Sequence, residues 1–376
     1  MERTARLLSA GALVLLTALM VCFWAPWAYE RFLVPTVERT HLLYSPTLEQ
    51  FIYREEIVGP IPPEARALAE DHHAGIAYRD EEGRWYSRVD FEKNLPFIYY
   101  KNLELWGMMP ITLSGQTFDS ASIRKERQVT ELTAREVLSQ EVATNLHFLI
   151  DDKPGGAGLV LPVEGLRVKA SSLELVNADT NSVDQAMSEA FTGALDEAGV
   201  TWPLQGIYGN ETILKPVNGG MYLIDARGKV FNLRRLQDEP QVIETTVPLE
   251  FGARYVAVSE STRGEYRAMV VGKEGGLGLL MADGSLKVLP APGYDPETCN
   301  VKLLCDPLYR TLVVDDGVQV RALVMDREYQ VLRQLTHLQS AGLDTRVKWW
   351  GRHLLPLKLD VPTDGRRATV NAQWRW

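Results

Sequence analysis

The stretch "EYRAMVVGKEGGLGLLMADGSLKVL" (residues 265–289) returns without a gap, 43 residues later, as "LYRTLVVDDGVQVRALVMDREYQVL" (residues 308–332). Apolar residues dominate both copies, and glycine and aspartate residues that favour turns interrupt them. Agreement at eight aligned positions indicates a repeated structural unit. The identical pairs are Tyr266 with Tyr309, Arg267 with Arg310, Val270 with Val313, Val271 with Val314, Leu280 with Leu323, Asp283 with Asp326, Val288 with Val331, and Leu289 with Leu332.

Another run rich in β-forming residues precedes each copy, "RYVAVSES" (254–261) and "NVKLLCD" (300–306). Each unit therefore comprises four short strands in about 43 residues, which is the size of one propeller blade. A third segment, "TILKPVNGGMYLIDARGKVFNLRRL" (212–236), has the same style, with Asp225 and Gly228 at its turn. The sequence predicts three successive blades.

A blade buries both faces of its sheet only by stacking against neighbours in a ring, so three blades are too few. The segments "LLYSPTLEQFIYRE" (42–55) and "GIAYRDEEGRWYSR" (75–88) indicate two hairpins, and the tail (352–376) offers two closing strands. We predict a mainly β, propeller-like array of five or six four-stranded blades with a helical insertion. An open β-sandwich is the alternative. The predicted divisions are 30–90 for the N-terminal hairpins or blade, 91–200 for the insertion with helices, 201–340 for the three β blades and 341–376 for the closing strands.

An apolar segment lies near the N-terminus. The stretch Leu7–Trp24 carries no charge, and a helix that continued to Tyr29 would rise roughly 34 Å, against about 30 Å of hydrocarbon in a bilayer. Arg3 and Arg6 precede this segment, and two tryptophans and Tyr29 end it. This order is typical of a cytoplasmic positive end and an aromatic belt at the far interface.

We therefore predict a cytoplasmic tail over residues 1–6 and one transmembrane anchor over residues 7–29. The rest of this single-pass inner-membrane protein would then lie in the periplasm. A cleaved signal peptide is one alternative, although its apolar region normally runs only about 7–15 residues. The best cleavage site, at Ala28, also has Pro26 where a small residue is needed. A buried helix of a soluble protein is the other alternative.

The overall charge restricts the partners. The formal net charge is −9, the isoelectric point is about 5.4, and no run of Lys or Arg forms a basic stripe. Such a chain would repel phosphate backbones, so we exclude nucleic acid as a partner. Three cysteines are too few for a disulfide scaffold. If "NVKLLC" is one strand, Cys299 and Cys305 lie roughly 20 Å apart, and we predict that they are not bonded to each other.

The segment "SVDQAMSEAFTGALDEAG" (182–199) has apolar residues at helical spacing. Ser182 and Gln185 suit a capping box at its start, and Gly199 suits its end. We predict an amphipathic helix whose apolar stripe is a packing surface rather than a cofactor site.

The segment "DFEKNLPFIYYKNLELWGMMP" (90–110) is the densest in aromatic residues, and Pro96 and Gly107 suit the start and the end of a helix. Its aromatic side chains cannot all face one side of that helix, so some should meet a second surface. Core packing and an aromatic docking face for a protein partner are both open. The possible partner-binding residues are Phe97, Tyr99, Tyr100 and Trp106.

Histidines raise the question of a metal site. In "DHHAGIAYRD", His72 and His73 adjoin Asp71, and imidazole is a common ligand of transition metals. Adjacent side chains diverge on a helix and point to opposite faces of a strand, so they cannot easily share one ion. The remaining histidines form no H-x-H or H-x-x-x-H pair; they are His41, His147, His337 and His353.

The stretch "NADTNS" (177–182) alternates polar residues as a calcium loop does, but Ser182 replaces the required glycine and Ser188 stands where a bidentate glutamate belongs. Polar turn residues before a capped helix explain it better. No G-x-S-x-G elbow occurs, and "GKEGG" (272–276) lacks the Ser or Thr that follows lysine in a P-loop. We predict no catalytic residue, metal or cofactor.

Five phrases of the chain resemble an uncharacterised bacterial family, domain of unknown function 4857. They are "HLLYSPTLEQFIYREEIVG", "DHHAGIAYRD", "DFEKNLPFIYYKNLELWG", "VNADTN" and "GYDPETCNVKLLCDPLYR", and the resemblance covers residues 40 to about 360. It implies one N-terminal membrane segment and a frequent neighbourhood of ABC-type transporter components. It implies no catalytic residues.

These observations predict a non-enzymatic, membrane-anchored, extracytoplasmic accessory or docking protein associated with ABC-type permease or ATPase subunits. The alternative hypothesis is a periplasmic metal-binding protein or enzyme with a site at the mouth of the propeller. That site would use His72, Asp71 or the "NADTN" loop (177–181).

Overall fold

Strands dominate the computed structural model of the chain, as the sequence predicts. The contacts divide the chain into two units, and each is described on its own. The first unit comprises residues 1–99, 317–320 and 336–376, and the second comprises residues 100–316 and 321–335. The structure describes residues 10–18, 20–22, 24–25, 28, 36–58, 61–68, 75–139, 146–153, 158–339, 357–360 and 369–372.

The apolar N-terminal segment is helical at residues 10–18 and 20–22, and its larger apolar side chains there are exposed. Among the residues that the structure describes, no helix combines the length and the apolar character needed to cross a membrane. The anchor over residues 7–29 stays a prediction.

The first unit contains one antiparallel sheet of four strands in chain order. Its two hairpins confirm those predicted from residues 42–55 and 75–88. Ile52 and Tyr78 of the sheet pack against the buried Phe91 of a short helix. The elements are β1 (Thr36–Ser45), β2 (Gln50–Val58), α1 (Pro63–Leu68), β3 (Ile76–Asp80), β4 (Trp85–Tyr86) and α2 (Arg88–Lys93).

The second unit begins with short helices and hairpins. Two of its helices start with capping boxes, in which Asp119 pairs with Ser122 and Thr133 pairs with Glu136. The elements are α3 (Tyr100–Leu105), β5 (Ile111–Leu113), β6 (Gln116–Phe118), α4 (Ser120–Lys125), β7 (Gln128–Leu132), α5 (Ala134–Leu138), β8 (Leu146–His147), β9 (Asp151–Lys153), β10 (Gly158–Val160), β11 (Glu164–Val168), β12 (Leu173–Asn177), β13 (Ser182–Asp184) and α6 (Gln185–Glu197).

The helix predicted over residues 182–199 is present but shorter at its start. Helix α6 begins at Gln185 because the Asp184 side chain caps it, accepting the Met187 N–H at 3.0 Å. The three residues before it form β13, which pairs with β12, so the prediction that Ser182 is the cap was wrong. Gly199 follows the helix at φ +82°, and the predicted end is confirmed.

The single helix predicted from Pro96 to Gly107 was also wrong. Residues 94–99 form turns, in which the N–H groups of Ile98 and Tyr99 both donate to the Leu95 carbonyl at 2.9 Å. Helix α3 begins only at Tyr100, so the Pro96 ring lies in the turn between two helices. Gly107, at φ +70°, does end the helix.

The remaining strands of the second unit build three sheets. In chain order β14–β17 pair as a meander, as do β18–β21 and β22–β25, and β7 adds beside β22. The elements are β14 (Gly206–Gly209), β15 (Met221–Ile224), β16 (Val230–Leu236), β17 (Glu239–Glu244), β18 (Ala253–Val258), β19 (Tyr266–Gly272), β20 (Leu277–Met281), β21 (Leu286–Leu289), β22 (Asn300–Cys305), β23 (Arg310–Asp315), β24 (Gln319–Met325) and β25 (Val331–Leu338).

The repeat seen in the sequence is a repeat of strands. Val270 lies in β19 and Val313 lies in β23, and each is in the second strand of its own four-strand meander. The predicted four strands per copy are confirmed. A closed ring of blades stays a prediction.

Consecutive sheets of the second unit pack face to face. Leu223 of β15 points towards α6 and β12, whereas its neighbour Tyr222 packs with Val270 of the next sheet. Met269, beside Val270, packs in turn with Leu312 of β23. Because side chains alternate between the faces of a strand, both faces of β19 are covered, which explains why it reads as a nearly continuous apolar run.

One aspartate turn recurs in both units. At Asp80, Asp225 and Asp326, one carboxylate oxygen accepts the N–H groups two and four residues further on, at 2.8–3.0 Å. The third residue after each aspartate has a positive φ; these residues are Gly83, Gly228 and Tyr329. Asp283, which aligns with Asp326, instead accepts from the N–H and the hydroxyl of Ser285, so the matching turn is shifted along the chain.

The predicted strand over "NVKLLC" is β22, and both Cys299 and Cys305 are free and buried. The prediction that they are not bonded to each other is confirmed. In the C-terminal tail, β26 (Leu357–Asp360) and β27 (Thr369–Ala372) pair with each other.

Candidate functional site

The C-terminal end of α3 presents apolar side chains at the surface. Leu105, Trp106 and Met108 are 83%, 40% and 41% exposed, and we name these three residues the α3 patch. The opposite side of the helix is buried through Tyr100 and Leu103. One side of the helix therefore packs in the interior, and its C-terminal end exposes apolar side chains to solvent.

The backbone holds this patch in place. Gly107 adopts φ +70° and its N–H donates to the Glu104 carbonyl at 3.0 Å, while the Met108 N–H donates to the Leu103 carbonyl at 2.8 Å. These are the two hydrogen bonds of a Schellman motif, which needs a left-handed residue and hence favours glycine. Trp106 sits at the last position before that turn.

The other predicted partner-binding residues lie deeper. In the first unit, Phe97 is 1% exposed, and Tyr99 is half-buried with its ring 6.4 Å from Phe91. In the second unit, Tyr100 is 7% exposed, and the Arg127 guanidinium lies 5.7 Å from its ring centroid. Phe97 and Tyr100 pack in the interior of their units, and Tyr99 packs partly buried beside Phe91. Trp106 is the one of the four that the structure leaves substantially exposed.

Two adjoining cavities lie in the second unit, where edge strands of four sheets converge. Residues of β7, β8, β14 and β18 line the first cavity, of about 270 Å³, and each of these strands is at the edge of its sheet. The second cavity, of about 370 Å³, shares Glu131, Asn210, Ala257 and Val258 with the first.

A histidine and a carboxylate meet at the first cavity. His147 Nδ1 lies 3.1 Å from Glu211 Oε1, and the Phe148 N–H donates to Glu211 Oε2 at 3.1 Å. The carboxylate can only accept, so Nδ1 donates the proton of this hydrogen bond. Nε2 is buried, and among the residues that the structure describes it has no hydrogen-bond partner.

Two tyrosines form another part of the wall. The rings of Tyr208 and Tyr255 lie 4.8 Å apart in an edge-to-face arrangement, and the Tyr208 hydroxyl donates to the Arg254 carbonyl at 2.7 Å. Burial, together with the Glu136 carboxylate, raises the pKa of Tyr255 to about 12. Burial also raises the pKa of Tyr208.

The second cavity contains a buried ion pair. Lys215 Nζ lies 2.8 Å from Glu260 Oε1, and the two side chains are 5% and 3% exposed. Glu260 also accepts from the Gly219 N–H at 2.6 Å and from Asn210 Nδ2 at 3.0 Å. The pair joins the loop before β15 to the residues that follow β18, and we interpret it as a structural contact.

The residues considered for a metal have other surroundings. Asp71, His72 and His73 lie outside the described residues. Asn177 Oδ1 accepts the N–H groups of Asp179 and of Thr180, at 3.1 and 3.0 Å, and forms the hairpin turn between β12 and β13. In the part of the chain that the structure describes, no three His, Cys, Asp or Glu residues are placed to hold a metal.

The sequence did not reveal the first cavity. His147 belongs to no histidine pair, and its carboxylate partner is 64 residues away. Tyr255 lies on β18 and Glu136 lies on α5. Only the pairing of distant strands brings these groups together, and no local spacing encodes it.

Comparisons with known proteins give a family and no close structure. The family model "Domain of unknown function (DUF4857)" matches residues 41–325. No curated protein matches the chain. Among solved structures the chain is similar to PorZ, described as an essential bacterial surface component of the type-IX secretion system of Porphyromonas gingivalis. The identity is 10%, the TM-score is 0.23, and the match covers 80% of this chain but 27% of that one. With a TM-score this low, neither fold nor function is inferred from PorZ.

Proposed function

The chain belongs to the DUF4857 family, and we propose that it is a non-enzymatic, membrane-anchored docking or accessory protein whose partner is an ABC-type permease. The observation that carries this proposal is the α3 patch. Trp106 is exposed at a helix end that the Gly107 turn fixes in one conformation. Tryptophan on a rigid surface is the residue type that most often dominates the energy of a protein interface.

The composition of the patch suits a protein partner. Leu105 and Met108 flank Trp106 and provide apolar area that a partner would remove from water. Because the helix is already ordered, binding would cost little conformational entropy.

Two further proposals concern the membrane anchor and the arrangement of the sheets. We propose that residues 7–29 form the anchor, which is supported by their lack of charge up to Trp24. We also propose that the four-stranded sheets form a propeller-like array, which is supported by their face-to-face packing in the second unit. Anchoring raises the effective concentration of the protein near a membrane partner, so a small patch is sufficient.

Affinity purification of the full chain from gently solubilised membranes tests the proposal. The wild-type protein should recover permease or ATPase subunits of an ABC-type transporter. Trp106→Ala should reduce that recovery at least tenfold, because removing an interface tryptophan costs about 2 kcal/mol or more. Circular dichroism should show an unchanged fold, since the side chain is exposed.

A matched variant separates docking from general surface effects. Leu138 is the last residue of α5 and is 53% exposed, as Leu105 is the last residue of α3 and is 83% exposed. Leu105→Ser should reduce recovery and Leu138→Ser should not. Recovery of the protein alone, or equal losses in both variants, would overturn the docking proposal.

A further inference from the structure

Basic side chains without ion-pair partners lie beside the α3 patch. They are Lys101 of α3, Arg124 and Lys125 at the end of α4, and Arg127 just after α4, and we name these four residues the basic cluster. Among the residues that the structure describes, none of the four side chains forms an ion pair. Lys101, Arg124 and Lys125 are exposed, so their charges face solvent.

The carboxylates close to the basic cluster in sequence have other partners. Asp119 caps α4, accepting the Ser122 N–H at 2.7 Å, and Glu126 pairs with Arg327 at 3.1 Å. Glu104 is the one exposed carboxylate of α3. The excess of positive charge here is therefore opposite in sign to the formal net charge of the whole chain, which is −9.

The basic cluster adjoins the α3 patch. Lys101 and Leu105 are four residues apart on α3, so their side chains are neighbours on one face of the helix. Helix α4 packs beside α3, and the Arg127 guanidinium lies 5.7 Å from the ring centroid of Tyr100, at the start of α3. Because a helix of this length rises only about 9 Å, about one Debye length in physiological salt separates the start of α3 from the patch.

We propose that the partner of the α3 patch presents a protein surface with an apolar centre bordered by carboxylates. This inference rests on the proposed docking function and names the chemistry of the partner. The patch buries its apolar area at the centre of the interface, and the basic cluster meets carboxylates at the rim. Complementary charges at a rim speed association and set the orientation of the partner more than they add affinity.

The formal net charge favours a protein over an anionic bilayer as the occupant. A bilayer is a broad negative surface, and it would repel a chain whose net charge is −9. A protein partner meets only the α3 patch and the basic cluster. A local excess of positive charge on an acidic chain is therefore matched by a partner surface of limited size.

Recovery of ABC-type permease or ATPase subunits by the full chain at two salt concentrations tests the inference. At about 0.05 M salt, Lys101→Glu and Lys125→Glu should each lower the recovery about fivefold. At about 0.5 M salt the loss should be less than twofold, because the Debye length falls from about 14 Å to about 4 Å. Trp106→Ala should lower the recovery at both concentrations, since apolar burial is not screened by salt.

A matched charge reversal serves as the control. Lys273→Glu reverses an exposed charge between β19 and β20 and should leave the recovery unchanged at both salt concentrations. Far-UV circular dichroism should be the same for all three charge variants. If Trp106→Ala lowers the recovery while Lys101→Glu and Lys125→Glu match Lys273→Glu at low salt, the acidic surface is refuted and the docking proposal stands. Recovery of no transporter subunit by the wild-type chain refutes both proposals.

Hydrogen exchange of the full chain, reconstituted alone in vesicles, tests the lipid alternative. Residues 100–108 and 120–127 should exchange equally fast in vesicles of phosphatidylcholine and in vesicles that also contain phosphatidylglycerol. Slower exchange in the anionic vesicles would assign the basic cluster to lipid headgroups and overturn the inference.

Discussion

The two copies of the repeat place identical residues in different surroundings. Tyr266 is fully buried in the first copy, whereas the aligned Tyr309 is half-buried in the second. Arg267 is exposed, but Arg310 is 2% exposed and donates from Nε and Nη2 to the two carboxylate oxygens of Glu265, at 2.6 and 2.8 Å. That carboxylate belongs to the first copy. The neighbouring sheet, not the repeated sequence, decides what each residue does.

The junction between the copies is a buried polar network. Tyr329 of the second copy donates to Glu265 at 2.6 Å, and Arg263, two residues before the first copy, also contacts this carboxylate. Burial alone would raise the pKa of Glu265, but the hydrogen bonds from Tyr329 and Arg310 and the two arginine charges outweigh it and hold that pKa below its usual value. Glu265 is therefore ionised at neutral pH and depends on its partners.

Replacing each of the two aligned arginines by methionine should give the largest difference in the free energy of unfolding. Arg310→Met should lower the free energy of unfolding by about 3 kcal/mol, because it leaves a half-buried carboxylate short of one partner while Arg263 remains. Arg267→Met should change it by less than about 0.5 kcal/mol, as expected of an exposed position. Urea unfolding followed by tryptophan fluorescence measures both, and similar losses in the two variants would contradict the comparison.

A second contrast concerns the residue two positions before each copy. This residue is Arg263 before the first copy and Asp306 before the second. Burial raises the pKa of Asp306 from 3.8 to about 6, although it accepts the N–H groups of Leu308 and Tyr309. The folded state thus holds a proton that the unfolded state releases between these pH values. The contribution of Asp306 to the free energy of unfolding is therefore greatest below pH 3.8, and it is lost as the pH rises to about 6.

Asp306→Asn should therefore stabilise the protein by about 2 kcal/mol at pH 7, because the amide keeps the two hydrogen bonds and removes the buried charge. The advantage should shrink towards zero near pH 4, where the wild-type carboxyl is neutral. Urea unfolding of both proteins from pH 4 to pH 7 measures the difference. An advantage that is independent of pH, or a loss of stability at pH 7, would refute this account of the buried carboxyl.

The smallest contrast concerns the turns of the repeat. The first copy has Gly284 at φ +89°, whereas the second copy has Tyr329 at φ +64°. Gly284→Ala should cost about 1 kcal/mol through backbone strain alone, since a Cβ there would meet nothing within 4 Å. Gly193→Ala, equally open but inside α6, should instead stabilise by about 0.5–1 kcal/mol. Thermal unfolding checks both signs, and a stabilising Gly284→Ala would show that this turn is unstrained.

Local patterns predicted the elements of the fold better than their boundaries. The repeat and its four strands per copy follow from alternating apolar runs and turn residues, which are encoded within a few residues. The start of the helix over residues 182–199 was predicted two residues too early, because Asp184 rather than Ser182 caps it once residues 182–184 pair with β12. The start of the helix depends on the pairing of β13 with β12, and residues close to the helix in sequence do not reveal that pairing.

Long-range pairing explains what the sequence did not show. Strand β7 leaves the helical region and adds to the sheet of the second repeat copy, more than 160 residues further on, as the Ala134 N–H bond to Asn300 illustrates. The first cavity depends on this pairing, because Glu131 lies on β7 and His147 on β8. For the α3 patch the aromatic density pointed to the right segment, but only burial distinguishes Trp106 from Phe97 and Tyr100.

The most direct test of the docking proposal is site-specific photocrosslinking in intact cells. A benzophenone amino acid in place of Trp106 should yield, on irradiation, an adduct with an ABC-type permease, identified by mass spectrometry. The same amino acid in place of Leu138, at the exposed end of α5, should yield none. Adducts at position 106 that contain only a second copy of this chain or a soluble protein, or the same permease adduct from both positions, would contradict the account.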